Sequence, residues 1–119
     1  MIKIIIDYPV KSFENLFLGA YCIQSIYFKK FCRNSITNMS EMFYECKILN
    51  ELNLNNFNTN KVTNMSAMFY NCSSLIELNL SNFNNLKATV MYKMFYNCKS
   101  LTKLILTNFN TNRVLILKI

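Results

Sequence analysis

Apolar residues return along this chain with a period of twenty-six. Met42-Phe43-Tyr44-Glu45-Cys46, Met68-Phe69-Tyr70-Asn71-Cys72 and Met94-Phe95-Tyr96-Asn97-Cys98 are three copies of one phrase. Leucines follow each at a constant offset: Leu49, Leu75 and Leu101, then Leu52, Leu78 and Leu104, then Leu54, Leu80 and Leu106. Phe57, Phe83 and Phe109 close the units among asparagines. A fixed period of this size marks an array whose units bury their apolar sides only against their neighbours. In the unit 62–87, Val62, Met65, Met68, Phe69 and Cys72 are spaced as one face of a helix, with Thr63 or Asn64 as its N-cap. Leu75, Leu78 and Leu80 give L-x-x-L-x-L, whose last three residues alternate with the period of a strand. Asn82 and Asn84 flank Phe83 in a turn. Each unit is therefore predicted as a short helix, a connection, a short strand and a turn.

The register continues backward with altered residues. Leu16 and Phe17 fall on the Met-Phe pair, Ile23, Ile26 and Phe28 on the leucines, Phe31 on Phe57 and Val10 on Ile36. One step further, Ile2 falls on Leu54 and Ile5 on Phe57. The whole chain of 119 residues reads as one domain. It comprises a partial repeat over 1–9, a degenerate repeat over 10–35, repeats over 36–61, 62–87 and 88–113, and an irregular tail over 114–119. After Val114 the tail gives Leu115, Ile116, Leu117, Lys118 and Ile119 where T-N-M-S is expected, the reverse of a polar cap. Truncation, a reading-frame slip or a last edge strand each account for it.

The phrases Ile36-Thr37-Asn38-Met39-Ser40 and Val62-Thr63-Asn64-Met65-Ser66, with M-F-x-x-C and L-x-x-L-x-L behind them, resemble BspA-type leucine-rich repeats. The resemblance is strong over 36–114 and weak over 10–35, and Ala88-Thr89-Val90-Met91-Tyr92 departs from it. It implies a repeat solenoid of the α/β class, with short parallel strands on one face and short helices or turns on the other. It also implies a place at the cell surface or outside the cell, in a bacterial or parasite surface protein, and recognition of a protein or cell-surface ligand. No catalytic set and no cofactor come with it.

Composition narrows the field. Histidine is absent, and no acid pair or phosphate loop interrupts the period, so an enzyme is not expected. Net charge is +7, yet the aromatics sit at core positions, which argues against specific nucleic-acid binding. Weak attraction to anionic membranes remains, through Lys29, Lys30 and Arg33. No apolar run is long enough for a transmembrane helix, and the apolar start ends at Asp7 and Pro9, short of an export signal. Cys46, Cys72 and Cys98 would stack in one column, as small buried hydrophobes in preference to disulfides or metal ligands. Asn58, Asn84 and Asn110, and likewise Asn56, Asn82 and Asn108, are expected to form structural ladders, their amides bonding to backbone groups in the turns and to each other. The sequons at Asn38, Asn64 and Asn71 follow from the repeat and say little about glycosylation.

The variable outward positions of the strands remain as the candidate partner-binding surface. By alternation these are Glu51, Asn53 and Asn55, then Glu77, Asn79 and Ser81, then Lys103, Ile105 and Thr107, on a polar concave face. The expected function is a non-enzymatic protein-binding or adhesion module. The alternative is a structural stub or fragment of a longer array without a ligand of its own.

Overall fold

A computed structural model describes residues 11–28, 35–55 and 57–110. The partial repeat over 1–9, the basic group Lys29, Lys30 and Arg33, Asn56 and the tail over 114–119 lie outside the described residues. Four three-residue strands follow one another: β1 (Ser25–Tyr27), β2 (Glu51–Asn53), β3 (Glu77–Asn79) and β4 (Lys103–Ile105). They pair in parallel as two sheets, β1 with β2 and β3 with β4, with Ile26 opposite Leu52 and Leu78 opposite Leu104. A second line of parallel bridges joins Ser12 to Asn38, Asn38 to Asn64, and Asn64 to Val90. Successive units therefore lie on one another in the register that the sequence period sets.

The Met-Phe-Tyr segments depart from the expected helix. Among the described residues there is no helix; these segments are runs of turn. Their N–H groups point at the next unit: Met39, Glu41, Phe43 and Glu45 donate to the carbonyls of Asn64, Ser66, Met68 and Tyr70 at 2.8–2.9 Å. The units on either side repeat this. Phe13, Asn15, Phe17 and Gly19 donate to Asn38, Ser40, Met42 and Tyr44, and Met65, Ala67, Phe69 and Asn71 donate to Val90, Tyr92, Met94 and Tyr96. Within a unit the intervening bonds close tight turns, as in Tyr44 to Glu41 at 3.1 Å and Cys46 to Phe43 at 3.2 Å. Such turns return a side chain to the same side every third residue, so the apolar spacing resembles a helix while the backbone is not one.

This backbone needs left-handed residues at two positions per unit. Asn15, Glu41, Ala67 and Lys93 have φ of 60°, 54°, 50° and 53°, and Gly19, Glu45, Asn71 and Asn97 have φ of 64°, 62°, 57° and 60°. Glycine and asparagine tolerate that region, whereas other L-residues resist it by about 1–2 kcal/mol. The hydrogen bonds to the neighbouring unit offset that cost.

The interior is built of columns. Phe17, Phe43, Phe69 and Phe95 stack nearly parallel, with centroids 5.5, 5.5 and 5.6 Å apart. Met39, Met42, Met65, Met68, Met91, Met94, Leu49, Leu75, Leu54 and Leu80 are buried around them. Phe57 and Phe83 form a second stack at 6.1 Å. Polar columns fasten the edges of this core. Asn38 and Asn64 each accept from the N–H (2.9 Å) and hydroxyl (2.7 Å) of the serine two residues on. This is an Asx turn in place of a helix cap. Thr37, Thr63 and Thr89 donate their hydroxyls to the backbone carbonyl one unit back, at 3.2, 3.1 and 3.4 Å.

Candidate functional site

The nine predicted residues are not all in one state. Glu51 and Asn53 lie on β2, Glu77 and Asn79 on β3, and Lys103 and Ile105 on β4. Asn55, Ser81 and Thr107 lie beyond the strand ends in turns, because each strand is only three residues long. Glu51, Asn53, Asn55, Glu77, Lys103 and Thr107 are exposed, whereas Asn79, Ser81 and Ile105 are half-buried.

The strands bring most of these groups around a shallow depression of about 330 Å³, lined by Tyr27, Asn50, Glu51, Leu52, Asn53, Asn55, Glu77 and Asn79. It opens over the junction of β2 and β3, where the two paired sheets meet without a ladder between them. Its polar groups are already oriented. The Tyr27 hydroxyl donates to the Glu51 carboxylate, and that bond holds the phenol above its usual pKa. Lys103 and Glu77 form an exposed ion pair at 3.1 Å. Asn53 and Asn79 turn their side-chain oxygens back to accept from the N–H groups of Asn55 and Ser81, both at 2.9 Å. The depression thus presents anchored carboxylates and amides on an open floor. Such a surface is open and does not enclose a small molecule. Lys103, Ile105, Ser81 and Thr107 do not line it.

Tyr27 and Asn50 were not among the outward residues read from the sequence. Tyr27 falls in register with Asn53 and Asn79, so carrying the alternation back into the degenerate repeat would have found it. Asn50 precedes its strand, where alternation gives no signal.

The asparagines meet the expectation in part. Asn58 and Asn84 accept from the backbone N–H groups of Asn60 and Leu86, and Asn108 donates to the carbonyl of Ser81. Asn84, however, donates its amide to the side chain of Asn60 and not to Asn58. Further inter-unit ties lie one residue on. Buried Thr59 exchanges bonds with the N–H and carbonyl of Asn84, both at 2.9 Å. Buried Asn85 does the same for Asn110 at 2.8 and 3.0 Å. An amide ladder does form at the left-handed positions, where Asn97 donates to Asn71 and Asn71 to Glu45, each at 2.6 Å. That bond, followed by the pairing of Lys47 at 3.0 Å, holds the Glu45 carboxyl below its usual pKa.

Cys46, Cys72 and Cys98 are free thiols in one column. Each donates at 3.1 Å to the carbonyl of Phe17, Phe43 or Phe69 in the preceding unit. Burial pushes Cys46 and Cys98 up to about 11, and Cys72 moves the same way for the same reason. Among the described residues no group of three or more His, Cys, Asp or Glu is placed to hold a metal ion, and no helix is long and apolar enough to cross a membrane.

No curated protein and no solved structure matches the chain. A family model described as "Mycoplasma protein of unknown function, DUF285" matches residues 11–118, nearly the whole repeat array, and the chain belongs to that family.

Proposed function

We propose that this chain is a leucine-rich-repeat solenoid segment of BspA type. It acts as a non-enzymatic binding module of a cell-surface or extracellular protein, with the strand face as its contact surface. The observation that carries this reading is the row of polar residues around the β2–β3 depression, set on a scaffold whose repeated apolar residues are buried. Extended repeat surfaces take up their partners over several units at once. Anchored side chains such as Glu51 and Asn53 lose little freedom on binding.

The test replaces Glu51 and Glu77 by Lys in one variant and by Gln in a second, which spares Lys103 a new positive neighbour. Retention on immobilised matrix proteins and on cells is compared with the parent chain. A loss of at least tenfold in both variants, with circular dichroism unchanged, is the expected outcome. Unaltered retention by a folded variant rejects the strand face as the site.

The competing reading is a structural stub or fragment of a longer array with no ligand of its own. Glu51 and Glu77 are both engaged within the chain, by Tyr27 and Lys103. That reading predicts an isolated chain that frays, aggregates or fails to fold, and that no cell or matrix retains.

A further inference from the structure

The charges of the chain are sorted around its cross-section. The described carboxylates, Glu14, Glu41, Glu45, Glu51 and Glu77, lie in the Met-Phe-Tyr turns and the strands. On the remaining edge, which follows each strand, the described charged residues are Lys11, Lys61 and Lys87, all exposed. Lys61 and Lys87 occupy equivalent positions of adjacent units. Their register is held on one side by Thr59 with Asn84 and on the other by Thr89, whose N–H donates to Thr63 at 2.9 Å. Adjacent layers of such a stack are about 4.8 Å apart, so the two like charges stand close together. Neither pairs with a carboxylate among the described residues, in contrast to Lys47 with Glu45 and Lys103 with Glu77. Arg113 continues the same sequence position one period on.

We propose that this edge is a second interaction surface, independent of the strand face, and that it docks on an anionic lipid bilayer. Like charges in adjacent layers repel, and a sheet of mobile anionic headgroups relieves that repulsion at each lysine. Leu86, 67% exposed next to Lys87, supplies an apolar contact. A single-stranded nucleic acid fits less well, because it needs aromatic faces to stack on. The aromatics of this edge, Phe57 and Phe83, are buried.

The probe is a phosphatidylglycerol-containing vesicle, with pure phosphatidylcholine as the reference. The full chain should sediment with the anionic vesicles at low ionic strength and be released as salt shortens the Debye length. A lysine near such a surface contributes about fivefold to partitioning. Lys61→Gln with Lys87→Gln should therefore weaken binding about thirtyfold. Lys47→Gln with Lys99→Gln, the same loss of charge elsewhere, should change it less than threefold. Equal losses in the two pairs would show attraction by net charge alone and overturn the proposal. So would absence of vesicle binding, or capture of a single-stranded oligonucleotide in its place. Thermal melts of each variant confirm that exposed lysines are being compared in a folded chain.

Discussion

Ala67 is held at a φ of 50° with no glycine or asparagine character to excuse it. Replacing it with Gly removes the left-handed strain of about 1–2 kcal/mol but adds the entropy of a freer unfolded chain, about 0.5–1 kcal/mol. Ala67→Gly should therefore raise stability by up to about 1 kcal/mol in denaturant titration, whereas the same change in an ordinary helix would lower it. Asn71→Ala should act oppositely, losing both the tolerated backbone and the bonds to Glu45 and Asn97. A second residue-scale prediction concerns the thiols. Cys46, Cys72 and Cys98 should resist alkylation in the folded chain while exposed Cys22 reacts, as read by peptide mapping after mild iodoacetamide. Their folded pKa values lie above the unfolded thiol value of about 8.5. The stability they contribute is complete below that pH and is lost as pH climbs toward about 11. Alkaline unfolding followed by circular dichroism should therefore begin near pH 9.

At the scale of the element, the unit 88–113 lacks the Asx turn of its neighbours. Val90 and Tyr92 stand where Asn64 and Ser66 stand, and both are exposed, at 41% and 48%. Val90→Asn with Tyr92→Ser restores the pair of bonds seen at Asn64 and Ser66. The double variant should gain about 1 kcal/mol, visible as a raised Tm. Phe69→Ala, which empties the middle of the ring stack, should cost about 3–5 kcal/mol. The period, the buried columns and the place of each strand were legible because they depend only on which residues are apolar and how far apart they recur. The turns were not. Met65, Met68, Phe69 and Cys72 satisfy a helix and a chain of three-residue turns equally well. What separates the two is whether the N–H of Phe69 finds a carbonyl in its own unit or that of Met94 in the next. Single-sequence periodicity carries no information on that choice, although Asn71, Asn97 and Gly19 at left-handed positions were a hint. The strand-face residues were legible by alternation, but Asn55, Ser81 and Thr107 overran strands of only three residues.

For the whole molecule, the inter-unit bonds described here join units one period apart, from Thr37 with Lys11 to Thr102 with Ile76. Stability should then approximate a sum of units and junctions. Excision of residues 62–87 brings Thr89 onto Thr37 and Phe95 onto Phe43, keeps every column in register, and should leave a folded but less stable chain. Excision of 62–86 removes one residue fewer and shifts every later side chain out of its column, so that variant should not fold cooperatively. The two are told apart by the sharpness of their thermal transitions.

The direction of those bonds has a mechanical consequence. The hydrogen bonds of Phe17 to Met42, Phe43 to Met68 and Phe69 to Met94 run from unit to unit, along the line of the array. A pull applied along that line opens them row by row, as a zipper yields, and does not shear many at once. Each released unit would pay out about 90 Å of contour before the next row yields. Under tension the chain would act as a shock absorber, lengthening in even steps as junctions that all bear the load give way one at a time.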